Sequence, residues 1–370
     1  MKFEKLRVFL ESLQQDYSIP SCECRIIKNN EVIFDCKEGD YDENKKFYFI
    51  YSMTKIITAV SAMKLVEQGK LSLCDNVEKY LPQFSELTVN NGEKIWKAKN
   101  KLTVENLLSM QGGFDYNINS EQIKNAIKNN PNASTQEIAV AISKMPLLFE
   151  PGENFSYSLC YDILGAIIEK ASGMRFGEYL KKEIFEPLEM KDTTFDINDV
   201  PTEKIVPHYR YNNDKGCAEE LPKSNVFVFS PVYESGGAGI ISTFDDYCKF
   251  VSAISSGGVS ENGYVLLEKE SIDEITKIRM NDKILSTYFR YPAWGCHYGF
   301  SVRVLFDKTK CETPAPIGCF ELTGAAGSYA VFDVENNISI VYFQHIKDVV
   351  DVPEFVHHKI RDLAYEELLK

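Results

Sequence analysis

The chain has 370 residues, 44% of them hydrophobic and 26% charged, with a formal net charge of −13. That is enough chain for one large domain or two lobes around a sizeable core, with the composition of a soluble globular protein. So acidic a balance argues against nucleic acid or an anionic membrane as partner, because both demand a basic surface.

The N-terminal stretch MKFEKLRVFLESLQQDYSIP is interrupted by charges every few residues, so it holds no apolar signal-peptide core. Phe3, Leu6, Phe9, Leu10 and Leu13 recur at helical spacing and predict an amphipathic surface helix. No stretch is long and apolar enough to span a membrane. The expectation is a cytoplasmic protein whose ten cysteines are free thiols. Cys22 and Cys24, the one close pair, fall on a predicted strand and read as buried small hydrophobes. The five histidines form no zinc-binding pattern, so neither a metal nor another cofactor is expected.

CECRII and EVIFDC, with Asn29-Asn30 between them, predict a hairpin. Near the other end GCFELTG, SYAVFDV and ISIVYFQ are three β-rich runs, the last two joined by a turn at Glu335-Asn336-Asn337. A helical pattern (Phe355, Ile360, Leu363, Ala364, Leu368) closes the chain. Strands from both ends are therefore expected to share one antiparallel sheet with the terminal helices packed on it. Between them LTVENLLSM, SEQIKNAIKN, STQEIAVAISKM, CYDILGAIIEKASG and FGEYLKKEIFEPL read as helices, with Ser134 and Thr135 as a start signal and Gly173 as a stop. The predicted fold class is α/β (α+β): an antiparallel sheet flanked by helices, with an inserted mostly helical lobe. The α/β lobe takes about 1–75 and 225–370, the helical lobe about 76–224, and a cleft lies between them.

The segment FYFIYSMTKIITAVSAMKLVEQGK carries two Ser-x-x-Lys tetrads, Ser52–Lys55 and Ser61–Lys64. On a helix each lysine shares a face with its serine, while a separation of nine residues points the two serines in opposite directions. Ile56, Ala59, Val60, Met63 and Val66 cluster on the Ser52–Lys55 side. A lysine on that apolar face is expected to have a lowered pKa, leaving an amine able to take a serine proton. Ser52 also sits at a predicted helix start, where free N–H groups favour an anion. Read alone, the tetrad is better explained as a helix N-cap whose lysine snorkels out of the fold.

Further motifs favour the chemical reading. YSMTKIITAVSAMKLVEQGKLSLCDNVEKYLP, LTVENLLSMQGGFD, FEPGENFSYSLCYDILGAIIEKASG, ESGGAGIISTFDDYCKF and ELTGAAGSYAVFD occur in this order. Order and spacing resemble the serine β-lactamase-like family of class C β-lactamases, penicillin-binding-protein-like peptidases and related esterases, along most of the chain. The resemblance implies a single hydrolase domain over residues 1–370 that acts through an acyl-enzyme on a small-molecule ester or amide. It implies that Ser52 is the nucleophile, Lys55 its base or proton relay, and Tyr157 a partner in proton transfer. It implies an oxyanion hole from the backbone N–H groups of Ser52 and Ala325, and substrate contacts at Leu159, Leu322, Thr323 and Gly324.

The pattern departs from the family at several points. Met110 and Gly112 stand where the family has His and Ser, Leu159 where it has Asn, and Leu322 where it has Lys or His. Leucine at 322 supplies no charge-assisted hydrogen bond to a substrate carboxylate and disfavours an unpaired anion. The expectation is an esterase-like activity on uncharged substrates, with Gln344 or His345 as partial compensation. The alternatives are a β-lactamase or D-amino-acid peptidase, and a ligand-binding module that has lost turnover. Gly236-Gly237-Ala238-Gly239 reads as a tight turn beside the cleft. Trp294, His297 and Tyr298 are candidates for the acyl pocket, though such a cluster is more often core. The sequence leaves the oligomeric state open.

Overall fold

The computed structural model describes residues 2–288, 294–350 and 352–370. In chain order the first half runs α1 (Glu4–Tyr17), β1 (Ser21–Lys28), β2 (Glu31–Gly39), β3 (Phe47–Phe49), α2 (Thr54–Glu67), β4 (Thr88–Asn90), β5 (Ile95–Lys97), α3 (Val104–Leu108), α4 (Glu121–Asn129), α5 (Thr135–Ile142), α6 (Cys160–Ser172) and α7 (Phe176–Leu180). The second half runs β6 (Tyr209–Asn212), β7 (Cys217–Glu220), β8 (Ile241–Thr243), α8 (Phe244–Ser255), α9 (Lys269–Thr276), α10 (Asp282–Thr287), β9 (Cys296–Tyr298), β10 (Arg303–Leu305), β11 (Phe320–Thr323), β12 (Tyr329–Asp333), β13 (Ile338–Phe343), β14 (Ile346–Lys347) and α11 (His358–Leu368).

Strands from both ends do share one sheet, ordered β2-β1-β13-β12-β11-β10-β9 and antiparallel throughout. Asn29 and Asn30 both adopt left-handed backbone (φ 53° and 62°), as a two-residue hairpin turn requires. Alternate residues of each strand serve opposite faces. On one face Cys24, Ile26, Val331 and Ile340 pack against Leu6, Leu10, Ile360 and Leu363 of α1 and α11. On the other, Ala330, Phe332, Val341 and Phe343 join the large core that also takes in α2, α6 and α8. Cys22, Cys24 and Cys36 sit in the first of these cores as small apolar residues, and all ten cysteines are free thiols.

The middle of the chain is helical where the pattern predicts it. Ser134 caps α5 with a reciprocal bond from Glu137, and Gly173 ends α6 in left-handed backbone (φ 73°). Two short hairpins, β4–β5 and β6–β7, also fall between residues 76 and 224. They escape a reading based on long apolar runs because each strand is only three or four residues and half exposed. Helices and sheet share one continuous core, so the cleft opens within a single packed body.

The two-faced reading of α2 needs correction. Every residue from Thr54 to Leu65 is buried, including Thr58, Ser61 and Lys64. Its polar side docks on the chain rather than on water. Thr58 Oγ1 donates to the Gly236 carbonyl (2.7 Å), Thr54 Oγ1 accepts from the Ile240 N–H (3.2 Å), and Lys64 Nζ donates to the Leu266 carbonyl (3.0 Å). These bonds offset the desolvation cost of burying polar groups, commonly about 1–3 kcal/mol each when unmet. Apolar neighbours therefore do not separate the two tetrads. No helix among the described residues is long and apolar enough to cross a membrane.

Candidate active site

Ser52 lies in a 3₁₀ turn (Tyr51–Met53) between β3 and α2. The chain reverses at Tyr51, whose φ of 47° is left-handed backbone and costs a β-carbon residue roughly 1–2 kcal/mol. Packing holds it there. The Tyr51 ring is fully buried, its hydroxyl lies 3.2 Å from His208 Nε2, and Lys347 Nζ sits 4.0 Å from its centroid. The turn leaves Ser52 half-buried on a cavity of about 390 Å³.

Tyr157 brings its hydroxyl 2.7 Å from Ser52 Oγ, from the loop that precedes α6. It is 39% exposed, so the residue stands open to solvent beside Ser52. Lys55, one turn along from Ser52, is 1% exposed. Its Nζ donates to Ser52 Oγ (3.3 Å), Tyr116 Oη (3.3 Å) and the Gly237 carbonyl (2.8 Å). Three donors on three oxygens is the full complement of an ammonium.

The expectation of a lowered Lys55 pKa is wrong. Burial does pull it down, but the oxygens of Tyr116, Tyr157 and Asp162 hold it above its ordinary value. Periodicity registers apolar neighbours but not the acceptors that a distant loop delivers to the amine. Lys55 is thus a fixed cation beside Ser52 Oγ, suited to stabilise negative charge there, and not a free amine awaiting a proton.

Two elements build that cation's socket. One is the glycine turn. A β-carbon on Gly236 would lie 2.2 Å from the Tyr161 carbonyl oxygen, and one on Gly237 2.7 Å from Asp162 Oδ2. Only glycines let this turn press against α6 and aim the Gly237 carbonyl at Lys55. Asp162 ties the turn down by accepting from Ser235 Oγ (2.6 Å). The other is Tyr116, which sequence reasoning missed. It stacks on Tyr157 at 5.5 Å and is half-buried; loss of solvation pushes its hydroxyl pKa up, with Lys55 opposing the rise in part. It remains a neutral phenol. The signal lay one residue beyond LTVENLLSMQGGFD, in a tyrosine that follows a glycine turn.

The third motif forms one wall of the cavity. Leu322, Thr323, Gly324 and Ala325 all line it, and Ala325 is exposed beside Ser52. Leu159, by contrast, lies in the core just before α6, 1% exposed and outside the cavity lining. As an apolar residue in the asparagine's place it packs inward. His345 is no compensating group either. Its Nε2 accepts from the Phe49 N–H (3.2 Å) and its Nδ1 donates to the Val206 carbonyl (3.0 Å). Gln344 does line the cavity. Of Trp294, His297 and Tyr298, only Tyr298 lines it; Trp294 packs on His358, and buried His297 faces Phe306. Residues 291–293 of that stretch lie outside the described residues.

One cation near Leu322 was not anticipated. Arg303, on β10, lines the cavity, with a guanidinium nitrogen 3.4 Å from Thr323 Oγ1. Its Nε donates to Glu321 (3.2 Å), which also accepts from Arg361 (3.2 Å). Burial opposes the Glu321 charge, but His358, Arg303 and Arg361 hold its carboxyl well below the usual range. Arg303 therefore enters the wall already neutralised. Among the described residues no group of His, Cys, Asp and Glu is arranged to hold a metal ion.

The chain is similar to several known proteins. Protein Rv1367c of Mycobacterium tuberculosis is 25% identical over 339 residues, covering 88% of this chain and 84% of its own. Esterase EstB of Burkholderia gladioli is 25% identical over 344 residues, covering 85% and 83%. Among solved structures, EstCE1, described as a hydrolase with promiscuous acyltransferase activity, superposes with a TM-score of 0.80 at 22% identity over 98% of both chains. The simvastatin synthase LovD of Aspergillus terreus, unliganded selenomethionyl form, gives 0.81 at 16% identity, again over 98% of both. At these identities the two structures establish the fold alone. The family model described as Beta-lactamase matches residues 6–362, and the chain belongs to that family.

Proposed function

We propose that this protein is a serine hydrolase that works through an acyl-enzyme, with uncharged esters as its leading substrates. The observation that carries the reading is the Tyr157 hydroxyl 2.7 Å from Ser52 Oγ, with the Lys55 ammonium 3.3 Å from that same oxygen. Ser52 attacks the acyl carbon, and its proton passes to the Tyr157 oxygen as the phenol's own proton passes on to the departing alcohol or amine. Lys55 offsets the negative charge that arises on Oγ as its proton leaves. The N–H groups of Ser52 and Ala325 take the developing oxyanion. Deacylation repeats these steps with water. That EstB is named an esterase and EstCE1 a hydrolase supports the class of reaction.

Leu322 still disfavours a substrate carboxylate on β11, which sets uncharged esters ahead of β-lactams. Arg303 is the one feature that favours the second reading, a β-lactamase or D-amino-acid peptidase, because its guanidinium reaches Thr323. Its commitment to Glu321 weakens it as an anion receptor.

The test is labelling by a fluorophosphonate at neutral pH, read by intact mass and peptide mapping. One adduct on Ser52, absent from Tyr157→Phe, followed by turnover of p-nitrophenyl esters but not of a reporter cephalosporin, is the expected result. Folded protein without an adduct on Ser52 moves the ligand-binding module to first place.

A further inference from the structure

The cavity at Ser52 is also walled by Ile346, Val349, Val352 and His357, and His357 has no part in the mechanism above. It precedes α11 and is 1% exposed. Its ring lies flat on Tyr329, with centroids 4.5 Å apart and planes within 1°. Nε2 lies 2.9 Å from the Gly327 carbonyl oxygen, which can only accept, so Nε2 carries the hydrogen. Nδ1 is then a bare lone pair, buried and without a partner in the protein. Burial pushes the ring's pKa down to about 3, the Gly327 bond opposing this and Arg303 adding to it. The imidazole stays neutral, and the lone pair stays unpaired.

An unmet acceptor buried in a cavity wall costs about 1–3 kcal/mol, and a ligand that donates to it recovers that cost. A carboxylate is unsuitable, because its oxygens repel the lone pair. An ammonium would leave water for a wall that holds Ile346, Val349 and Val352, and Asp348, a carboxylate of the lining, is already paired with Arg210. A neutral donor remains, and among esters and their alcohols that is a hydroxyl.

We propose that the cavity beside Ser52 binds the alcohol portion of a polyol ester, or a polyol as acyl acceptor, and that His357 Nδ1 accepts a hydrogen bond from a hydroxyl other than the reacting one. This rests on the serine hydrolase reading. With a polyol acceptor, its reacting oxygen bonds to the acyl carbon while its proton passes to Tyr157. The Ser52–acyl bond then breaks, and Ser52 Oγ takes the proton that the Tyr157 phenol gives up. His357 is a specificity-determining residue here; no bond forms or breaks on it.

Two measurements test this. In the first, the acyl-enzyme formed from p-nitrophenyl butyrate is partitioned between glycerol and 1-propanol at equal concentration, in wild type and in His357→Phe. The wild type should favour glycerol by about tenfold, the equivalent of one hydrogen bond of ordinary strength, and the variant should lose that preference. The ratio is internal to each protein, so partial loss of active enzyme does not disturb it. In the second, histidine-labelled Ser52→Ala is titrated with glycerol and followed by ¹⁵N NMR, and the His357 Nδ1 resonance should move toward the hydrogen-bonded position. An unmoved resonance, or an unchanged glycerol preference in His357→Phe, overturns the proposal. Absence of p-nitrophenol release sinks the hydrolase reading instead, and the NMR titration still decides whether His357 receives a hydroxyl.

Discussion

Helix α2 offers two copies of one motif in two surroundings. Ser52 and Lys55 stand at its N-terminal end; Ser61 and Lys64 stand inside it. Both lysines are buried and both use their ammonium hydrogens on oxygen. Lys55 spends one on a serine that faces a cavity and another on a phenol stacked against Tyr157. Lys64 spends its hydrogens on the Leu266 carbonyl and on Tyr264, and none reaches Ser61. Ser61 instead donates to the Thr58 carbonyl one turn back, 2.8 Å away. Spacing places a lysine beside a serine in either copy. Only in the first copy does the backbone leave the helix, so that the hydroxyl is released from local bonding and meets a second hydroxyl, that of Tyr157.

The sharpest way to break this contrast is to remove each hydroxyl of the first copy. Ser52→Ala should lower kcat for p-nitrophenyl esters by about 10³-fold or more, since it removes the oxygen that meets both Tyr157 and Lys55. Tyr157→Phe should cost about 10²–10⁴-fold in kcat, the usual worth of a positioned proton carrier, with thermal stability near that of wild type because the ring is partly exposed. Stopped-flow acylation and melting curves check both. If Tyr157→Phe keeps full activity, proton transfer does not run through that hydroxyl.

How much of this was legible beforehand depended on whether a feature was local. The hairpin at Asn29-Asn30, the cap at Ser134 and the alternation along β12 and β13 are written in short windows, so strands and helices came out in place. Ser52, Tyr157 and the β11 residues came from motif order. The electrostatics of Lys55 did not come out, because its acceptors arrive from Tyr116, Tyr157 and Gly237, at least 61 residues away along the chain. Arg303 escaped for the same reason: it reaches Thr323 across a strand pairing that no periodicity announces. Leu159 misled in the opposite direction. A motif position was read as a substrate contact, but leucine there gains more from the core than from the cleft.

Lys55 also sets a stability signature. Its folded pKa lies above the ordinary 10.5, so the folded state keeps a proton that the unfolded chain gives up first. That contribution is full below pH 10.5 and drains as pH rises through the folded value. Denaturant midpoints measured at increasing alkaline pH should therefore fall in wild type. Lys55→Met should start lower, having stranded the Gly237 carbonyl, yet show a shallower alkaline decline. An equal slope in both proteins breaks the assignment of Lys55 as a fixed cation. Lys64→Met tests the other copy. It strands the Leu266 carbonyl and should cost about 1–3 kcal/mol of stability with kcat nearly unchanged.

The smallest effect is expected at Ser61. Its hydroxyl bonds back to the carbonyl of Thr58, a contact that competes mildly with the helix and brings in no partner from elsewhere. Alanine removes that bond but also removes the buried hydroxyl itself, and it raises helix propensity by up to roughly 0.5 kcal/mol. These contributions oppose one another, so Ser61→Ala should change unfolding free energy by less than about 0.5 kcal/mol and leave kcat where it was. Parallel urea titrations and p-nitrophenyl ester kinetics suffice to measure both. A large loss of activity in Ser61→Ala, beside a mild one in Ser52→Ala, would reverse the order of the two tetrads and with it the position of the nucleophile.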